Sequence, residues 1–103
     1  MGYFPIKPLF PLGRIVLSPA AESLGIDLMR FLRRHQAGDW GDLCAEDLEA
    51  NQEALTNDEA ILSHYEITLP AGGTGSIGVM SEQGREFTLV YVTGEVLNEE
   101  QCT

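Results

Sequence analysis

Apolar and polar residues repeat with two different periods along this chain, and the change falls near residues 57 and 58. Before this point, apolar residues recur at the three- and four-residue spacing typical of helices. After it they alternate with period two, as in strands with one buried face, beginning with Ile61, Ser63 and Tyr65. Helices followed by strands predict an α+β fold.

Helix-start and helix-stop signals divide the first half into three helices. A helix of under two turns is expected over residues 18–25, because Ser18 can cap it and Pro19 suits the first helical position. A second helix is expected from Asp27 to about residue 37, closed by Gly38. The third is expected over residues 45–56.

The second and third helices are each expected to have a packing face and a charged face. In the second helix, the packing face holds Leu28, Phe31, Leu32 and His35, and the opposite face holds Arg30, Arg33 and Arg34. In the third helix, the packing face holds Cys44, Leu48, Asn51 and Leu55, and the charged face holds Glu46, Glu49 and Glu53.

The second half is expected to form a β-meander with strands over residues 61–69, 77–81 and 87–93. A further short strand is expected over residues 14–17. Together they suggest a small antiparallel sheet covered on one side by the three helices. The chain is expected to be one domain over residues 1–103, with an extended N-terminal arm over residues 1–13 and a flexible tail over residues 94–103.

Charge is the unusual feature of the composition. Sixteen acidic residues face six basic ones, for a net charge of −10. Residues 36–103 hold fourteen acids and a single base, Arg85, which gives −13, whereas residues 1–35 carry +3. Such a chain repels phosphate backbones, so direct general nucleic-acid binding is not expected, whereas a basic protein would be attracted. The simpler alternative is that the charge serves solubility.

Cysteine usage and hydropathy favour a soluble cytoplasmic protein. Cys44 and Cys102 are far apart in the sequence, so a structural disulfide is not expected. Prolines interrupt the apolar N-terminal stretch, so a signal peptide is not expected. No apolar run reaches the length of about 18 residues that spans a bilayer.

Several residues are candidates for a chemical site. His35 could serve as a general base, or it could pack against Trp40 and the carbonyl groups at the end of its helix. His64 shares no metal-ligand spacing with it, and the acidic residues lack the order of a calcium loop, so no metal is expected. The glycine-rich loop over residues 71–75 lacks the lysine of a phosphate loop, and no cofactor is expected.

The turn around the only tryptophan is the segment least like an ordinary linker. It consists of Gly38, Asp39, Trp40, Gly41 and Asp42. A constrained turn is expected, in which the aspartates accept backbone amides and the indole is buried. Asn51 lies on an otherwise apolar helix face and needs a partner, which this turn is expected to supply.

The sequence around this turn resembles short proteins carried by plasmids, integrative elements and prophages. The resemblance spans most of residues 12–93 and centres on a His-x-x-Gly-Asp-Trp-Gly-Asp-Leu motif, which begins at His35. Glu82, Arg85 and Thr88 also fall in matching places. Cys44 stands where the relatives place an acidic cap, and the residues after Val92 do not match.

The resemblance implies that this protein is encoded by a mobile genetic element and is located in the cytoplasm of the bacterial host cell. Small acidic proteins of such elements often inhibit restriction or CRISPR effectors by occluding a basic, nucleic-acid-binding surface. The sequence therefore favours an inhibitor of a host defence complex. The expected contacts are Glu46, Glu49 and Glu53, together with Asp47, Asp58 and Glu59.

Two other functions stay open. A metal-independent RNase would need a base, a phosphate-binding cation and hydroxyl groups to converge across the sheet. The candidates are His35, Tyr65, Arg85 and Thr88. The other alternative is an adaptor or regulatory protein, and the overall acidity argues against the nuclease.

Overall fold

The computed structural model describes residues 8–94; the expectations for residues 1–7, for the tail from residue 95 and for Cys102 lie outside this range. Within it, three helices and four strands form an α+β fold, as predicted. In chain order they are β1 (Arg14–Leu17), α1 (Pro19–Glu22), α2 (Met29–Gln36), α3 (Ala45–Asn57), β2 (Ile61–Thr68), β3 (Thr74–Ser81) and β4 (Phe87–Val92).

The four strands form one mixed sheet in the order β1-β4-β3-β2. The meander β2-β3-β4 is antiparallel, as predicted. The expectation of a wholly antiparallel sheet was wrong for β1, which pairs with β4 in parallel, with Arg14 opposite Phe87 and Leu17 opposite Val90. The alternation of residues along a strand shows which side chains point inward. It does not show whether a neighbouring strand from a distant part of the sequence runs parallel or antiparallel.

A helix cap explains where α1 begins. The Ser18 hydroxyl accepts a hydrogen bond from the Ala21 amide at 3.1 Å, and Pro19 occupies the first helical position. The expected start of α2 at Asp27 was wrong: Asp27 accepts the Met29 amide at 3.1 Å, but the N-cap residue is Leu28, whose side chain makes no capping bond. Beyond the end of α2, Gly38 has a φ of 89°, in the region that favours glycine.

The helices cover one face of the sheet, and the core lies between them. The main cluster includes Phe31 and Leu32 of α2 against the inward side chains of β2, β3 and β4. A second cluster joins Phe10, Trp40, Ala54 and Ile61 under α3. In β2 the odd-numbered residues are buried and the even-numbered ones are not, which confirms the predicted period.

The predicted packing face of α3 needs correction. Asn51 and Ala54 are buried and Leu55 is partly buried, but Cys44 is exposed and Leu48 is 38% exposed. Residues 45–50 are all exposed, so only the C-terminal half of α3 packs on the domain. Helical periodicity identifies the side of a helix that faces the core, but not how far along its length the core extends.

Candidate functional site

The turn at residues 38–42 adds a short stretch of backbone to the free edge of β2. The His64 amide donates to the Trp40 carbonyl at 3.1 Å, and the Asp42 amide donates to the His64 carbonyl at 2.7 Å. The Trp40 indole is 2% exposed and donates to the His35 carbonyl at 3.1 Å, which confirms that it is buried. The turn therefore joins the end of α2 to the sheet edge.

Gly41 and Asp39 make this turn possible. Gly41 has a φ of 77°, and a side chain there would overlap the His64 carbonyl and the Tyr65 ring. The Asp39 carboxylate accepts from Arg34 at 2.7 Å, which is the main reason that its pKa is lowered, and it also accepts the Gly41 amide. The Asp39 carbonyl accepts the Tyr65 hydroxyl at 2.6 Å. Of the two aspartates, Asp39 thus plays the predicted amide-accepting part.

An open cleft of about 500 Å³ lies beside the turn. Arg34 is held in it by its ion pair with Asp39 and by the Tyr65 ring, with the guanidinium carbon 4.6 Å from the ring centroid. Asp42 and Glu66 complete the lining. Because Arg34 is the one cation in a lining that also holds Asp39, Asp42 and Glu66, the cleft is acidic on balance and does not favour a phosphate.

His35 lies in the core, with no exposed surface, and both ring nitrogens are hydrogen-bonded. Its Nδ1 lies 2.5 Å from the Ser63 hydroxyl and its Nε2 lies 2.9 Å from the Ser81 hydroxyl. The Ser81 hydroxyl lies 2.6 Å from that of Thr88, which donates to the Leu12 carbonyl at 2.7 Å. We call these five residues the buried polar chain.

The direction of each bond in the buried polar chain follows from its last member. A carbonyl oxygen can only accept a hydrogen bond, so the Thr88 hydroxyl donates its proton to the Leu12 carbonyl. The Thr88 oxygen then accepts a hydrogen bond from the Ser81 hydroxyl. Ser81 then accepts from Nε2–H of His35, which leaves Nδ1 to accept the Ser63 proton. The Ser63 bond takes this direction because the ring is neutral near pH 7: burial, and next the charge of Arg85, lower the pKa of His35 to about 4. A neutral ring with Nε2–H donating to Ser81 has no proton on Nδ1.

The nuclease candidates are close together but are already hydrogen-bonded within the fold. His35 and Thr88 belong to the buried polar chain, and Tyr65 donates to Asp39. The Arg85 guanidinium donates to the carbonyls of Glu59, Glu82 and Ala54 at 2.6 to 3.2 Å. The Phe10 ring contacts both the Arg85 guanidinium and the His35 imidazole. Among residues 8–94, His35 has no surface that a phosphate could reach, and the Arg85 side chain is only 8% exposed.

The acidic residues lie on the outside of α3. Glu46, Glu49 and Glu53 are exposed and point away from the buried pair Asn51 and Ala54. Asp47, Asp58 and Glu59 are exposed as well. Among the residues that the structure describes, only Asp58 of these six has an ion-pair partner, Arg85 at 3.9 Å. We call Glu46, Glu49 and Glu53 the acidic face.

Asn51 does not bond to the tryptophan turn, so the predicted partner was wrong. Its side-chain amide donates to the Leu62 carbonyl at 2.7 Å and accepts the Leu62 amide at 3.2 Å. The turn occupies the edge of β2 at His64, and Asn51 occupies the same edge at Leu62. The two segments are neighbours along one edge, which the sequence alone does not reveal.

Ser63 and Ser81 are the structurally important residues that sequence reasoning missed. Both lie at inward positions of their strands and have no exposed surface. A signal was present, because Ser63 stands between Ile61 and Tyr65 in the buried period of β2. A buried hydroxyl needs a partner, and His35 on the packing face of α2 is a suitable one.

No protein-family model matches this chain, and no match was found among curated proteins or solved structures. Within residues 8–94, no helix is both long and apolar enough to cross a bilayer. In the same range, histidine, cysteine and acidic side chains do not gather in groups of three that could hold a metal ion.

Proposed function

We propose that this protein binds and inhibits a host defence complex, a restriction or CRISPR effector, by covering a basic, nucleic-acid-binding surface of that complex. The acidic face of α3 is the observation that carries the proposal. Its three carboxylates lie within one narrow arc of the helix, are exposed, and have no cationic partner among the described residues. The helix itself contains no lysine or arginine.

The anchoring of α3 suits the acidic face to docking. Asn51 and Ala54 hold the helix against the domain, while the whole of residues 45–50 is exposed. The carboxylates are thus presented on a helix that is anchored through its C-terminal half, so little backbone entropy is lost on binding. Charges of this kind accelerate the encounter with an oppositely charged partner and make it depend on salt.

We propose binding rather than catalysis because His35, the candidate general base, is buried and hydrogen-bonded. His35 has no exposed surface, and both of its nitrogens are engaged in the buried polar chain. A general base must reach the proton that it removes. The acidic face, by contrast, is directly available to a partner.

Expression in cells that each carry one defined restriction or CRISPR system would test the proposal. The protein should raise phage plating or plasmid establishment at least tenfold for one system, in line with stoichiometric inhibition of a tightly bound target. A triple variant, Glu46→Gln, Glu49→Gln and Glu53→Gln, should inhibit weakly. With the purified target, its association should be slower and less dependent on salt.

The matched control changes the same net charge elsewhere: Glu66→Gln, Glu82→Gln and Glu86→Gln, on the strands and turns of the meander. It should inhibit like the parent. The proposal is wrong if no system is inhibited. The acidic-face mechanism is wrong if the two triple variants, both folded, inhibit equally well.

A further inference from the structure

The two edges of the sheet differ in how they are closed. At the β2 edge, Asn51 pairs with both main-chain groups of Leu62, and the tryptophan turn pairs with both of those of His64. At the β1 edge, no residue within 8–94 forms such bonds. An open edge is a template for another strand, and natural proteins usually block it.

The free main-chain groups of β1 belong to Ile15 and Leu17. The amides on either side point towards β4, since Arg14 donates to Glu86 at 3.0 Å and Ser18 donates to Val90 at 2.9 Å. Successive residues of a strand direct their amide and carbonyl groups to opposite sides. Ile15 and Leu17 therefore point theirs away from the sheet.

An apolar groove of about 280 Å³ lies beside this edge, between β1 and the first residues of α2. Three of its lining side chains are unusually exposed for their type, Ile15 at 39%, Leu17 at 37% and Met29 at 47%. The floor includes Ile26, Leu28 and Leu32. Exposed apolar side chains next to unpaired main-chain groups are the features that a bound strand would cover.

The charge of the groove distinguishes between ligands. Glu22 and Asp27 line it, both are exposed, and neither has an ion-pair partner in the part of the chain that the structure describes. A basic residue next to the apolar ones would be favoured there. A second copy of this chain is a poor occupant, because two molecules of net charge −10 repel each other.

We propose that the β1 edge binds an extended segment of a partner protein by strand addition. Main-chain bonds to Ile15 and Leu17 would fix the segment, its alternate apolar side chains would enter the groove, and a basic residue would meet Glu22 and Asp27. β1 and α3 lie at opposite edges of the sheet. The proposal is therefore independent of the defence-inhibition proposal and can fail or hold without it.

A synthetic peptide provides the test, with the full chain labelled for NMR. The probe has about seven residues, alternating valine and threonine, with a lysine at each end. In the free protein, the Ile15 and Leu17 amides should exchange rapidly with solvent. With saturating peptide, their exchange should slow by at least roughly tenfold, because they then donate hydrogen bonds. Peptide affinity follows from fluorescence polarisation.

Methylated peptides show whether main-chain bonding is responsible. Two versions of the probe carry N-methyl groups on alternate amides, one set or the other. Only the amides that face β1 matter, so one version should lose at least roughly tenfold in affinity and the other should bind like the parent peptide. Glu22→Lys should weaken the lysine-flanked peptide and strengthen a glutamate-flanked one.

Three results would overturn the proposal. One is that the peptide does not bind, and another is that both methylated versions bind alike. The third is that the Ile15 and Leu17 amides are already protected in the free protein. In that case another part of this chain or a second copy occupies the edge, and loss of protection on dilution would identify the second copy.

Discussion

At the scale of single residues, the buried polar chain imposes strict requirements on the fold. It links Leu12, α2 and three strands through groups that have lost their contact with water. Ser81 and Thr88 each donate one bond and accept another, and Ser63 donates to His35, so removing one member leaves a neighbour unpaired in the core. An unpaired buried polar group is costly, so the histidine and the two serines depend on one another for their places in the core.

The stability of the protein should fall as the pH is lowered from 7 to 5. The pKa of His35 is about 4 in the folded state and near 6.5 when unfolded. Below pH 6.5 the histidine therefore binds a proton in the unfolded chain but not in the folded protein. The free energy of unfolding falls by about 2 kcal/mol by pH 5. Urea unfolding at the two pH values measures this loss.

The contribution of His35 can be isolated by substitution. His35→Gln should be less stable than the parent at pH 7. Its free energy of unfolding should change much less between pH 7 and pH 5 than that of the parent. His64→Gln removes a histidine outside the buried polar chain, so this variant should show the same decline in stability as the parent. A His35 ring that titrates near pH 6.5 in the NMR spectrum of the folded protein would contradict the assignment.

Gly41→Ala should destabilise the protein by more than about 2 kcal/mol, since a Cβ would overlap the His64 carbonyl and the Tyr65 ring. Gly72→Ala is the matched control. Gly72 also has a positive φ, of 108°, but no atom lies within 4 Å of the added carbon. It should cost about 1 kcal/mol from backbone strain alone. Equal losses in thermal or urea unfolding would show that the close packing of Gly41 is unimportant.

At the scale of secondary-structure elements, the position of α3 depends on a side chain that substitutes for a strand. Asn51 bonds to Leu62 as a neighbouring strand would, through one donor and one acceptor. The helix has little apolar surface for packing, because Ala54 is its only fully buried apolar residue. We infer that the amide pair contributes much of the contact between α3 and the sheet.

Asn51→Leu should therefore destabilise the protein by about 2 to 3 kcal/mol even though it adds apolar surface, because two main-chain groups of Leu62 lose their partner. Amide exchange at Leu62 should accelerate. Gln52→Leu, one position along on an exposed site, should change stability little. If Asn51→Leu unfolds at the same urea concentration as the parent, the amide pair does not hold the helix.

At the scale of the whole molecule, the net charge of −10 works against folding. Only two ion pairs are found among the described residues, so most carboxylates are uncompensated. Screening should relieve their repulsion, and the melting temperature should rise by a few degrees between about 0.02 and 0.3 M salt. Differential scanning fluorimetry measures this rise.

The acidic face should contribute a distinct share of the salt effect. Its glutamates are spaced three and four residues apart, where like charges on a helix destabilise it. The triple glutamine variant of the acidic face should show a smaller rise with salt than the control triple on the meander. A melting temperature that falls with salt, or equal rises in the two variants, would contradict this account.

Local signals in the sequence were enough to predict most of the secondary structure of this protein. Period, caps and turn residues are local properties, so they located the three helices and the meander, and they predicted the burial of Trp40. They also placed three carboxylates on one side of α3. Element ends were less exact, since β3 begins at Thr74 rather than at residue 77 because Gly75 and Ser76 pair with β2.

Contacts between segments that are distant in the sequence could not be predicted from such local signals. The parallel direction of β1, the partner of Asn51, and the assembly of His35 with Ser63, Ser81 and Thr88 depend on contacts between residues far apart in the sequence. The same is true of the open β1 edge. Such pairings depend on how all the elements pack together. The residues adjacent to a position in the sequence do not determine that packing.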